Sequence, residues 1–266
     1  MDLVFARRLA VSAASVLCLF GAAAAAGDSA GFALVAACMQ ANTPEKTGTQ
    51  EFVIGTFDEA GEIRSVGGAL WWQRSEDGLL KLSAKLDEPA DMRGSAFLLV
   101  EKPKHRDMFS YLPELRKTRR ITSRSVSGSL FGTEFSYEDF QHLQSLGRAS
   151  SRERLPDLDV AGRKVYVVSS QPPKDSGSAY TRIVSRVDQE TCVPLEVDFY
   201  GEAEAPVKQL RVSADSLTQA GKVWVPKQAT LKNLENGRES RLAVEKIKFD
   251  IELPKALFSQ FRLERL

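Results

Sequence analysis

The chain has 266 residues, with 36 Lys or Arg against 35 Asp or Glu, two histidines and three cysteines. So even a charge balance excludes the one-sided basic face that nucleic-acid binding needs. With no His-x-x-x-His or Cys-x-x-Cys spacing, no metal and no cofactor is expected.

Arg7 and Arg8 precede an apolar stretch from Leu9 to Phe20, and Ala24-x-Ala26 closes it. These are the three parts of a secretory signal. Residues 1–26 are therefore expected to be removed, and residues 27–266 to form a single exported domain, which a chain of this length supports. The alternative is a membrane anchor, for which Leu9 to Ala26 is marginal in length and hydrophobicity. Losing Arg7, Arg8 and Asp2 leaves 34 basic and 34 acidic residues.

Asp28 to Ala41 reads as a helix, with Phe32, Val35, Ala36 and Met39 at helical spacing and Asn42 and Pro44 as the stop. Within it, Val35-Ala36-Ala37-Cys38 looks like a lipoprotein box, which would tether the chain through a lipidated Cys38. The polar Gly27-Asp28-Ser29 between that box and the apolar stretch argues against it. Cys18 leaves with the signal. Cys38 and Cys192 remain, an even pair in an oxidising compartment, so a disulfide is the first expectation and two buried thiols the alternative.

Period two then takes over. Leu80, Leu82, Ala84 and Leu86 alternate with Lys81, Ser83, Lys85 and Asp87, and Val193, Leu195, Val197 and Phe199 alternate with Pro194, Glu196, Asp198 and Tyr200. These are strands with one buried face. Looser strands are predicted over 51–57, 64–73, 96–100, 108–112, 116–121, 164–169, 180–187, 207–214, 223–232 and 238–251. In the last of these the apolar phase slips near Glu245, which predicts a bulge. Short turns such as Glu76-Asp77-Gly78 and Asn236-Gly237 make neighbours antiparallel. The fold class is mainly β: one large antiparallel sheet that must curl into an incomplete barrel or split into a sandwich. Thr122 to Arg163 reads as irregular, with one helix at Ser136–Leu146 opened by a Ser136/Asp139 capping box, and it can serve as a lid.

No Gly-x-Ser-x-Gly elbow or phosphate-binding glycine loop occurs, and no enzymatic activity is expected. His105 lies in a Lys-Pro-Lys-His-Arg turn and His142 in the lid helix. Glu134, Glu138 and Asp139 invite a paired-carboxylate hydrolase. Negative charge in a first helical turn has a simpler structural use. Arg116, Lys117, Arg119, Arg120 and Arg124 form a basic run that, on a strand, would show charge on both faces. Part of it must meet water, carboxylates or a ligand phosphate; a solvated edge guarded by charge is the equal alternative. Trp71 and Trp72 point to opposite faces, so one can line an interior.

Met108-Phe109-Ser110-Tyr111-Leu112-Pro113-Glu114-Leu115-Arg116-Lys117-Thr118-Arg119-Arg120-Ile121, followed by Gly128-Ser129-Leu130-Phe131-Gly132-Thr133-Glu134-Phe135-Ser136-Tyr137-Glu138-Asp139-Phe140, resembles the outer-membrane lipoprotein-sorting proteins, relatives of the periplasmic carrier LolA. Met39-Gln40-Ala41-Asn42, Cys192-Val193-Pro194-Leu195 and Leu253-Pro254-Lys255-Ala256-Leu257-Phe258 add to the match. The resemblance implies an incomplete barrel closed by helices, an apolar cavity for lipid or acyl chains, and association with an inner-membrane RND-type exporter. The expected protein is then a periplasmic carrier, working as a monomer. Arg116, Arg120, Trp72, Tyr111 and Phe131 are the candidate ligand contacts. A non-ligand-binding envelope adaptor is the second reading and an envelope hydrolase the third.

Overall fold

A computed structural model describes residues 29–44, 46–143 and 149–265; the expected signal, 1–26, lies outside them. Helix α1 (Ser29–Ala41) is followed by β1 (Thr47–Asp58), β2 (Gly61–Arg74), β3 (Leu80–Glu88), β4 (Ala96–Glu101), β5 (Arg106–Leu112) and β6 (Lys117–Ile121). Helix α2 (Tyr137–Leu143) comes next, then β7 (Ser151–Val160), β8 (Arg163–Gln171), β9 (Arg182–Asp188), β10 (Pro194–Tyr200) and β11 (Pro206–Val212). The chain closes with β12 (Leu217–Ala220), β13 (Val223–Pro226), β14 (Gln228–Asn233) and β15 (Glu239–Phe249). No helix among the described residues is long and apolar enough to cross a membrane.

Thirteen strands form one antiparallel sheet in the order β6-β5-β4-β3-β2-β1-β15-β14-β11-β10-β9-β8-β7, while β12 and β13 pair separately. The sheet does not close: β6 and β7 are its two edges. Open sheets beyond roughly ten strands must curl, and bulges supply the bend. Glu51 pairs with Lys246 and Phe52 with Val244, so Glu245 is the extra residue expected from the slipped apolar phase. Gly68 marks a second bend, because a Cβ there would stand 2.0 Å from the Lys85 carbonyl oxygen.

Curling leaves a concave apolar face, where Phe52, Leu70, Leu82, Phe97, Phe199 and Leu210 belong to one buried cluster. Part of the convex side is covered by the C-terminal 3-10 turns, which set Leu263 among Ala96, Leu98, Phe109 and Tyr111. Helix α1 lies at the β8–β9 end, with Val35 packed on Val168 and Val187. It is fastened there by the Cys38–Cys192 disulfide, Cα–Cα 5.4 Å. The Asn42 side chain, just past α1, donates to the Trp224 carbonyl at 3.0 Å and accepts from the Trp224 amide at 2.6 Å. The disulfide uses the Cys38 thiol, so tethering through a lipidated Cys38 is overturned, and the bridge fits an oxidising compartment.

Three boundaries differ from expectation. The irregular 122–163 stretch contains β7, whose Pro156 and five charged residues disguise it. An edge strand tolerates both, and a register shift between Leu155 and Leu158 absorbs the proline. The run 223–232 splits into β13 and β14, each in a different sheet. Arg116 is not on a strand. It follows the 3-10 turn Pro113–Leu115 at φ 45°, and β6 begins after it.

Asp188 accepts from Arg163 Nε at 2.9 Å, Arg163 Nη2 at 2.7 Å, and Thr191 N and Oγ1 at 2.8 and 2.6 Å. Burial alone would raise its pKa; these donors outweigh burial and hold the carboxyl below its ordinary value. Asp198, also buried, is held low in the same way between Arg186 and Arg211. A carboxyl depressed in the folded state stabilises above its unfolded pKa, about 3.9, and that contribution fades as pH falls through the folded value. The urea midpoint should therefore hold from neutral pH to about pH 5 and drop below about pH 4. Asp188→Asn should show a shallower acid drop than the parent.

Candidate functional site: a lidded concave face

The segment between β6 and β7 packs into the concave face. Leu130, Phe131 and Phe135 are buried in the same cluster as Phe52, Ile54 and Phe97. Tyr137 stacks on Phe97 at 5.5 Å between ring centroids, and Phe140 meets it edge-on at 5.6 Å. Phe131 adopts φ 56° next to Gly132 at φ 75°. A left-handed aromatic residue costs backbone energy, of order 1–3 kcal/mol, and persists where packing holds it.

Three carboxylates tie this lid to the wall. The capping box forms: Ser136 N donates to Asp139 Oδ2 at 2.8 Å and Asp139 N to Ser136 Oγ at 3.0 Å. Asp139, 1% exposed, also accepts from Tyr180 Oη at 2.5 Å and from Lys208 Nζ at 2.9 Å. Lys208 also donates to the Glu134 carbonyl at 2.8 Å. Glu138 accepts from Ser178 Oγ and from the Ala179 amide. Glu134 accepts from Asn233 Nδ2 at 2.8 Å and Asn236 Nδ2 at 3.3 Å. Burial first, then the Asp139 carboxylate, push the Tyr180 phenol well above its ordinary pKa, so it stays a donor. His142 stands 3.8 Å from Glu138, while His105 is exposed beside Asp107. The acidic cluster is thus spent on joining lid to wall.

Two spaces remain. A cleft of about 790 Å³ runs between α1 (Phe32, Ala36, Met39), the β2–β3 turn (Ser75, Gly78) and β8–β9 (Val168, Val187). An inner cavity of about 220 Å³ lies beyond it, walled by Leu70, Trp72, Leu80, Leu210, Trp224 and Phe249. Both share Met39, Thr43, Pro44 and Arg74 in their walls. Ligand sites for drug-sized molecules run to roughly 300–1,000 Å³. The outer cleft reaches that range; the inner, more apolar one does not while the lid aromatics fill the rest of the concave face.

Trp72 and Phe131 both reach the concave cluster. Trp72 meets Phe249 edge-on at 5.6 Å, and its buried indole N–H finds no hydrogen-bond partner among the described residues. Its ring lies against Gly48, where a Cβ would come within 2.1 Å of Cζ2. Gly48→Ala should lower stability by about 1–3 kcal/mol through overpacking, read from the urea midpoint. Tyr111 lies on the other face, against Leu98 and the C-terminal turns. Arg116 and Arg120 are exposed near the β6 edge, and Arg120 pairs with Asp107. The five candidates therefore do not converge. Lys208 and Tyr180 escaped the sequence reading. Lys208 shares strand parity with Leu210 and Val212, and a lysine in that phase was the available signal.

Solved structures match over nearly the whole domain. A DUF1329 family protein from Desulfovibrio piger superposes with TM-score 0.80 at 23% identity, covering 88% of this chain and 98% of its own. An outer membrane lipoprotein-sorting protein domain from Vibrio parahaemolyticus gives 0.76 at 25% identity, covering 87% and 97%. A LolA superfamily protein from Nitrosomonas europaea gives 0.67 at 18% identity, covering 86% and 97%. Comparison with curated proteins finds no match. The class is thus the LolA-like lipoprotein-sorting fold that the 108–121 and 128–140 motifs resemble. A family model described as an uncharacterized protein matches residues 81–265, more than half of the chain, and the chain belongs to that family.

Proposed function

We propose that this protein is a periplasmic carrier that takes a lipid, or the acyl chains of a lipidated protein, onto its concave face. The supporting observation is the pairing of an apolar concavity with a cover held by discrete polar contacts rather than by chain continuity of the sheet. In this reading α1 is the fixed wall, locked by the disulfide and Asn42, and residues 126–143 are the movable one. An acyl chain enters through the outer cleft, meets Trp72 and displaces Phe131 and Phe135. Transfer gains from apolar burial, at about 25 cal/mol per Å² of ligand surface, offset by the lid contacts given up. Residues 1–26 direct export and are removed, and the carrier works as a monomer with an inner-membrane RND-type exporter. Arg116 and Arg120, outside the concavity, have no part in holding the chain.

Native mass spectrometry of protein taken from the periplasmic fraction tests the reading. The expected spectrum carries an added mass that organic extraction removes and that matches a lipid or acylated peptide. A bare polypeptide mass, with no uptake of added fatty acid, would leave the adaptor reading in its place.

A further inference from the structure

Charge is not spread evenly over this chain, whose formal net charge is only +1. Residues 102–124 hold eight basic and two acidic residues. Arg116, Lys117 and Arg119 are exposed at the β5–β6 turn and along the β6 edge, and none forms an ion pair with the described residues. The C-terminal turn Gln260–Arg265 packs on β4, β5 and β6 and adds Arg262, also exposed and unpaired. Leu263 is plugged into the convex cluster at 1% exposure. That anchor leaves Phe261 standing out at 82%, the most exposed of the large apolar side chains among the described residues, while Leu115 at the β5–β6 turn is 47% exposed.

Edge protection alone does not account for this. The other edge, β7, is guarded by balanced charge, Arg152, Glu153, Arg154, Asp157 and Asp159, with Arg154 paired to Asp157. Glu114 and Glu264, the latter paired with Arg265, are the acidic members of this corner, and the basic groups outnumber them. A cationic excess flanked by exposed apolar groups is the chemistry of an interfacial anchor: cations meet lipid phosphates and aromatic or aliphatic tips enter the headgroup boundary. We propose that this corner is a docking surface for an anionic phospholipid membrane, with Arg116, Lys117, Arg119 and Arg262 as phosphate contacts and Phe261 and Leu115 as the inserted tips. It lies on the convex side and at the edge, so docking leaves the concave face unobstructed. The proposal stands independently of cargo binding.

Flotation of the whole exported protein with vesicles of phosphatidylglycerol and phosphatidylethanolamine, against vesicles of phosphatidylcholine alone, tests it. Binding is expected only to the anionic vesicles and is expected to fall steeply in high salt. Lys117→Gln with Arg119→Gln should reduce partitioning roughly 30-fold, and Arg116→Gln with Arg262→Gln should act similarly. Phe261→Ser should weaken binding while keeping the salt dependence. All these side chains are exposed, so an unchanged urea midpoint shows that the variants fold, and acyl-probe uptake should persist in each. No binding to either vesicle, equal binding to both, or full binding by both paired-charge variants overturns the proposal. An acidic protein partner in place of the membrane would appear as the first of these results.

Discussion

Asp139→Ala is expected to lower the stability of the protein by about 3–5 kcal/mol, as for breaking a buried ion pair on one side. The carboxylate receives the Lys208 ammonium at 2.9 Å, the Tyr180 hydroxyl at 2.5 Å and its own helix's Ser136 amide. Lys208 keeps only 15% side-chain exposure, so its charge would be left with the Glu134 carbonyl alone. Asp139→Asn separates the contributions, since it keeps an acceptor for Tyr180 and loses the charge. If the lid is the weakest part of the fold, a hydrophobic probe should gain access to the concave face of Asp139→Ala well below the urea concentration that unfolds the sheet. Denaturation curves read in parallel by probe binding and by far-ultraviolet dichroism check this. Coincident curves with no loss of stability would mean that the three carboxylates do not hold the lid.

Removing the Cys38–Cys192 bridge is the second large effect. It spans a sequence separation of 154 residues, and loop-closure entropy puts the cost of losing it near ~5 kcal/mol, with native strain and residual denatured structure able to reduce it. The local consequence is more specific. Val35 alone of the described α1 side chains is completely buried, so the helix depends on this bond and on the Asn42–Trp224 pair for its position. Cys38→Ser with Cys192→Ser should lower the thermal midpoint and increase amide exchange in α1 ahead of the sheet. It should also weaken acyl-probe uptake, because α1 is one wall of the outer cleft. Asn42→Ala in the same background should deepen both effects.

Much of the architecture was readable from residue order because period-two alternation and short turns are local signals. The slipped phase around Glu245 even located a bulge. What escaped was decided by position in the sheet. β7 carries a proline and five charges, a pattern that contradicts a central strand and suits an edge, and no local signal says which strand will be an edge. The lid was legible in outline through its capping box, whose two hydrogen bonds form as the Ser136/Asp139 spacing predicts. Its depth was not. That Phe131 and Phe135 fill the concavity, and that Glu134, Glu138 and Asp139 reach three separate parts of the wall, depends on contacts across 40 to 100 residues of chain. The basic run was visible, but its apolar companion Phe261 lies in a distant C-terminal turn, and only the fold brings the two to one corner.

The central claim, that the concave face takes an acyl chain, is open to one direct measurement. Trp72 and Trp224 line the inner cavity, and Trp71 is the only other tryptophan in the chain. In a Trp71→Phe variant both remaining indoles report on that cavity. Titration with a brominated fatty acid should quench their fluorescence in a saturable curve, and excess unlabelled fatty acid should restore it. Fluorescence that stays constant through the titration, in protein first stripped of lipid by extraction, would contradict the carrier account.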